Sequence, residues 1–188
     1  LHAGAGKAEN CRFPRWECHM NPEDLVGDVL RSVMGGRHKR SGRAMRYLTR
    51  DLTRETANLA VVDDEFIIVL TRMESREIMR SLTKVGGRVA MVASGVGKAV
   101  LATYSNEDVS AIIHHHGMPR LTEKSIVRPG DLFKELEKIR RQGFAIDDEE
   151  ACMGLRCIAA VVYNDCAEPL AAISVSGMAS RVFSVATR

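Results

Sequence analysis

Apolar and polar positions alternate with a period of two from Thr56 to Val62 and again from Phe66 to Thr71, with Asp63, Asp64 and Glu65 between them, which predicts a β-hairpin. Upstream the period is helical. Leu25, Val26, Val29, Leu30, Val33 and Met34 recur on one side of a segment opened by Asn21-Pro22-Glu23-Asp24 and stopped by Gly35-Gly36. Asn21 can cap it, Pro22 presets φ, and the two carboxylates suit the positive end of a helix. A third strand is expected at Val89 to Val92. It runs through Ser94-Gly95-Val96-Gly97 into Lys98-Ala99-Val100-Leu101-Ala102, a strand, glycine turn and helix in succession. Ser105 with Asp108 marks a capped helix through His115. Gly130-Asp131 opens another, with Leu132, Phe133, Leu136 and Ile139 on one side before Gly143 ends it. Cys157 to Tyr163 and Leu170 to Ser176 then form a second predicted hairpin. Hairpins outnumber strand-helix-strand units, so the expected class is α+β, an antiparallel sheet flanked by helices.

The last hairpin specifies a face. With Tyr163 paired to Leu170, Cys157 stands opposite Ser176 and Ala159 opposite Ser174. Cys157, Ala159, Ala172, Ser174 and Ser176 then share one side, small and mildly polar, suited to the floor of a site for a small polar molecule. A packed face under a helix, its hydroxyls bonded to backbone, is the competing reading. Ile173 and Val175 point the other way and are expected to bury against helices.

Composition narrows the class of protein. The 188 residues suit one core, and no apolar run approaches the roughly 18 residues of a membrane span. No secretory leader pattern opens the chain. Lys and Arg number 27 against 24 Asp and Glu, a net +3, too balanced for a protein that coats nucleic acid. Five cysteines without a CxxC pair indicate neither a disulfide framework nor a zinc ribbon, so a reducing, cytoplasmic setting is expected. The chain begins at Leu1 with an aperiodic stretch to Met20, read as a tail or foreign residues ahead of a domain over 21–188.

Several groups could carry chemistry. Gly95-Val96-Gly97-Lys98-Ala99 fails as a Walker A loop, lacking the earlier Gly and the following Ser or Thr. It fails the dinucleotide fingerprint because Val100 stands where the third Gly belongs. Free backbone N–H groups at the start of a helix still suit a small anion, most naturally a carboxylate. In Asp147-Asp148-Glu149-Glu150 the usual reading is a solvated turn. Asp147, at the end of Phe144 to Ile146, could instead accept a hydrogen bond from an uncharged end of a ligand. His114, His115 and His116 point in different directions on a helix and fit its negative C-terminal end better than a metal. Cys11, Cys18 and His19 lack a fourth zinc ligand, so no metal or cofactor is expected. A thiol hydrolase built on Cys157 is an alternative, but no base is paired with it and neighbouring carboxylates would raise its pKa. Enzymatic chemistry is therefore not expected. A second alternative is DNA contact through the basic stretch 37–54, containing Arg37, His38, Lys39, Arg40, Arg43, Arg46, Arg50 and Arg54.

From about Ala44 to Arg181 the chain resembles the effector-binding domain of IclR-family bacterial transcription regulators. The resemblance rests on ordered segments: Thr56 to Val61, Gly87-Arg88 before Ala93 to Ala102, Gly143 to Glu150, Gly154 to Ala160, and Ala171 to Gly177 with Arg181. It implies a GAF/PAS-like sensor that binds a small organic acid such as a 2-oxo acid and helps assemble a homodimer or homotetramer. Operator DNA would be met through a winged helix-turn-helix domain that this chain does not match. The resemblance also implies a ligand site at Gly95, Val96 and Gly97, which would take the carboxylate, with Asp147, Cys157, Ser174 and Ser176. Ala90, Val161 and Met178 replace prolines common in the family, which bears on local rigidity. The helix that usually follows Arg181 is expected to be missing.

Overall fold

The computed structural model describes residues 53–63, 66–76, 84–163 and 169–186. The expected tail, the Asn21 helix, nearly all of the basic stretch and the Cys11, Cys18 and His19 group lie outside these residues. Six described strands form one sheet: β1 (Thr56–Asp63), β2 (Phe66–Met73), β3 (Arg88–Ala90), β4 (Ala145–Asp148), β5 (Leu155–Tyr163) and β6 (Pro169–Met178). Their order is β3-β2-β1-β6-β5-β4, and every neighbouring pair is antiparallel. Among the described residues four helices accompany them: α1 (Gly95–Leu101), α2 (Asn106–His116), α3 (Pro129–Gln142) and α4 (Ala179–Ala186). The α+β class is as expected. The helix α4 corrects the expectation that nothing helical follows Arg181.

Local chemistry explains the helix ends. Ser94 Oγ accepts from Gly97 N at 3.1 Å, and Ser105 Oγ from Asp108 N at 3.1 Å, so each N-cap satisfies a donor that its helix cannot. Pro129 starts α3, and Gly143 ends it at φ 81°, a left-handed conformation that glycine adopts without steric cost. Arg140 on α3 donates to the carbonyls of Ala102 and Tyr104 at 2.9 and 3.0 Å, tying α3 to the end of α1. Glu55, just before β1, is buried and takes Arg181 of α4 through both carboxylate oxygens.

The predicted register of the last hairpin holds from Leu155 to Val162, with Cys157 opposite Ser176 and Ala159 opposite Ser174. It slips at the far end, where a bulge pairs Tyr163 with Pro169 rather than Leu170. A second bulge interrupts β1 and β2 and leaves Leu70 without a partner and half exposed. Strand β3 stops at Ala90, shorter than expected, because Met91 and Val92 turn inward to join the core.

The main core lies between one sheet face and the helices, with Ala60, Ala159, Val161 and Ala172 beneath Val96, Val100, Leu132 and Leu136. Ile173 and Val175 point to the opposite face, as expected, and form a small cluster there with Ala57 and Val162, to which α1, α2 and α3 contribute nothing. The helices cover the face carrying Cys157, Ser174 and Ser176 because its alanines let α1 approach closely.

Candidate functional site

Strand pairing sets two rows of side chains across the sheet. In one, Thr56 of β1 pairs with Ser176 of β6, Ser176 with Cys157 of β5, and Cys157 with Asp147 of β4. In the next, Asn58 pairs with Ser174, Ser174 with Ala159, and Ala159 with Ala145. Directly opposed residues of antiparallel strands face the same way, so the polar members of both rows share the helix-covered side. Ser174, Ser176, Asp147 and Asn58 are all buried there, and Cys157 is partly exposed.

The glycine turn closes over these rows. A methyl in place of the Gly95 hydrogen would sit 3.1 Å from Cys157 Sγ and 3.5 Å from Asp147 Cβ. At Gly97 the same methyl would lie 2.0 Å from the carbonyl oxygen of Met91, so only glycine lets the turn fold back on itself. Three of the sequence-predicted residues, Gly95, Asp147 and Cys157, thus touch or nearly touch, and Ser174 and Ser176 join them on the same face of β6, Ser176 directly opposite Cys157. Val96 also packs into the core. Gly97 plays a different part: its N–H is taken by Ser94, which leaves the N–H groups of Gly95 and Val96 without a partner among the described residues.

Electrostatics separates the acids of the Asp147 to Glu150 run. Asp147 Oδ1 accepts from the N–H groups of Glu150 at 2.8 Å and Ala151 at 3.3 Å, yet burial pushes its pKa up to about 6. Asp148 is held below the usual carboxylate range by its hydrogen bond from Arg156, and Glu149 by the Lys124 ammonium 2.6 Å away. Glu149 also adopts a left-handed φ of 66°, uncommon outside glycine. Glu150 is buried against Lys98 Nζ, which also donates to the carbonyl of Ile146 at 2.7 Å. The run is therefore a folded turn, each acid with its own partner, rather than a solvated one. Burial and the nearby Asp147 push the Cys157 thiol up to about 11, which keeps it protonated at neutral pH.

Two residues escaped the sequence reading. Lys98 is fully buried; a lone cation in the apolar helix Val96 to Ala102 was the available signal, with the carboxylate run as its counterpart. Asn58 donates from Nδ2 to Ser174 Oγ at 3.3 Å, and its Oδ1 is buried without a partner among the described residues. Its signal was a polar residue amid the apolar alternation of β1. The histidines stand apart from this site: His114, His115 and His116 form the last turn of α2, as expected, and His116 meets the Phe66 ring edge-on at 4.7 Å. Among the described residues no cluster of three or more His, Cys, Asp or Glu side chains could hold a metal ion. None of their helices is long and apolar enough to cross a membrane.

Residues 38–187 match the family described as bacterial transcriptional regulator IclR C-terminal. The chain belongs to the IclR C-terminal family. It is 41% identical over 130 residues to the transcriptional repressor IclR of Escherichia coli, a match covering 68% of this chain and 47% of that protein. The chain thus spans about half the length of the curated relatives it matches. Among solved structures, the C-terminal domain of the E. coli transcriptional regulator KdgR superposes with a TM-score of 0.65 at 26% identity, covering 85% of this chain and 94% of that one. The inducer binding domain of a double mutant of the PobR transcription factor from Acinetobacter, in complex with 3-hydroxybenzoic acid, has the same fold. Its TM-score is 0.71 at 22% identity, over 78% of this chain and 86% of that one. The sheet and its helices are the GAF/PAS-like arrangement of these effector-binding domains.

Proposed function

We propose that this chain is the effector-binding part of a bacterial transcriptional regulator and that its ligand is a small organic acid of the oxo- or hydroxy-acid class. One observation carries the reading: the N–H groups of Gly95 and Val96, without partners among the described residues, open a helix whose first residue, Gly95, packs on Asp147 and Cys157, beside the buried Ser174 and Ser176. The N–H groups hold the carboxylate. The two hydroxyls and Asp147 take the other end, and Asp147 avoids the like charge. Repressor relatives and a solved neighbour holding an aromatic hydroxy acid support the same reading. A protonated, unpaired thiol argues against the hydrolase alternative.

Such a ligand is small. With about five or six non-hydrogen atoms and a ceiling of about 1.5 kcal/mol per atom, it gains at most about 8 or 9 kcal/mol. That corresponds to a Kd of about 1 μM or weaker. Regulation follows if the acid binds one arrangement of a homodimer or homotetramer better than another and so resets DNA-binding domains carried by the full-length regulator in the cytoplasm. Calorimetric titration of the chain against a panel of small oxo and hydroxy acids tests this. At least one acid should bind, and Ser174→Ala should weaken it about tenfold, the loss of one buried hydrogen bond. Unchanged binding by both Ser174→Ala and Asp147→Ala would contradict the site, and no binding by any acid would contradict the function.

A further inference from the structure

We propose that Asn58 belongs to the effector site and that its amide oxygen selects acids carrying a hydroxyl over those with a carbonyl or hydrogen at that position. The inference rests on the acid-receptor reading above and goes beyond it by choosing between its ligand classes. Asn58 stands on β1 directly opposite Ser174, in the row beside the one that holds Ser176, Cys157 and Asp147. Only 4% of it is exposed.

Its orientation is set by the hydroxyl next to it: Asn58 Nδ2 donates to Ser174 Oγ at 3.3 Å. The Asn58 Oδ1 is turned away from Ser174, buried, and without a donor among the described residues. Buried acceptors nearly always find a partner, so an empty one bonded into a polar set calls for a donor brought by a ligand. An effector hydroxyl supplies that donor. A ketone oxygen at the same place would face the amide oxygen with a lone pair and leave both unsatisfied. Sites built around a hydrogen bond reject analogues that lack it far more strongly than apolar pockets reject a change of size.

The test uses two matched pairs, lactate with pyruvate and 3-hydroxybenzoate with benzoate, titrated calorimetrically into wild type and Asn58→Leu, a substitution of similar volume with no polar atom. Wild type should bind the hydroxylated member of at least one pair tenfold or more tightly than its counterpart. Asn58→Leu should reduce that ratio to about threefold or less while still binding both acids. Equal binding, a preference for the unhydroxylated acid, or a preference that survives in Asn58→Leu would overturn the assignment of Asn58 and leave the acid-receptor reading standing. If none of the four acids binds wild type, the receptor reading fails, and this inference with it. Should Asn58→Leu not fold, nitrogen-15 NMR of the wild-type Asn58 side-chain amide decides: a resonance that moves with the hydroxylated acid and not with its partner supports the proposal, and one that moves with neither overturns it.

Discussion

Replacing Lys98 with methionine should destabilise the domain more than any other change of similar size in α1. Lys98 is the largest of the fully buried side chains, and its ammonium is shared between Glu150 Oε1 and the Ile146 carbonyl. Methionine fills nearly the same volume, so the perturbation is electrical rather than steric. It leaves Glu150 with a buried charge and no counterion, in a carboxylate whose Oε2 already lacks a partner among the described residues. Removing one member of a buried pair costs about 3–5 kcal/mol, a large share of the roughly 5–15 kcal/mol that holds a typical domain together. With a urea m-value of about 2 kcal/mol per molar, the midpoint should fall by about 2 M. The double variant Lys98→Met/Glu150→Leu removes both charges and should return to within about 1 kcal/mol of wild type, because an apolar pair of similar volume avoids the desolvation cost. Urea titrations of the wild type, both single variants and the double variant measure the coupling. If Lys98→Met costs less than about 1 kcal/mol, or if the double variant is as unstable as the two singles added together, the buried pair does not hold α1 to the turn after β4.

Other consequences can be checked independently. The Asp147 pKa rises from 3.8 to about 6 on folding, so the folded protein binds more protons in that window; this contribution to stability is complete below pH 4 and disappears as the pH climbs to 6. Asp147→Asn should remove that slope from a series of thermal unfolding curves, and a slope that persists would assign the proton elsewhere. With a thiol pKa of about 11, Cys157 carries roughly 300-fold less thiolate at neutral pH than an ordinary cysteine of pKa about 8.5. Peptide mass spectrometry should find it alkylated by iodoacetamide far more slowly than free cysteine, and comparable rates would restore the case for a nucleophile. Gly97→Ala should cost several kcal/mol in urea unfolding because its methyl meets Met91 backbone, whereas Gly95→Ala, against a thiol at 3.1 Å, should be milder; equal effects would contradict the packing of the turn.

Local patterns were readable in the sequence where they answer to a single periodicity. The β1 and β2 hairpin, the cap at Ser105 and the Cys157 to Ser176 register all follow from neighbours along the chain or from alternation across one hairpin. The register failed at Tyr163, where a bulge adds a residue that alternation does not mark. The described helices α1, α2 and α3 cover the face opposite Ile173 and Val175, although apolarity alone favoured those two residues. What decided it was the smallness of Ala159, Ala172 and Cys157, which admits the glycine turn. Within the site, Gly95, Asp147, Cys157, Ser174 and Ser176 were named correctly as neighbours, their ligand role being the proposal above. Asn58 was missed because it meets Ser174 through a strand pairing 116 residues apart, which no local pattern announces. Lys98 was missed because a helical lysine ordinarily reaches solvent, and its burial depends on Glu150, 52 residues away.

A crystal structure of this chain grown with the tightest-binding acid of the calorimetric panel would locate the ligand outright. The ligand carboxylate should lie within hydrogen-bond distance of the Gly95 and Val96 amide nitrogens, with its other end against Ser174 and Ser176. Acid bound elsewhere, with the Gly95 turn still packed on Cys157 and no ligand between them, would contradict this placement.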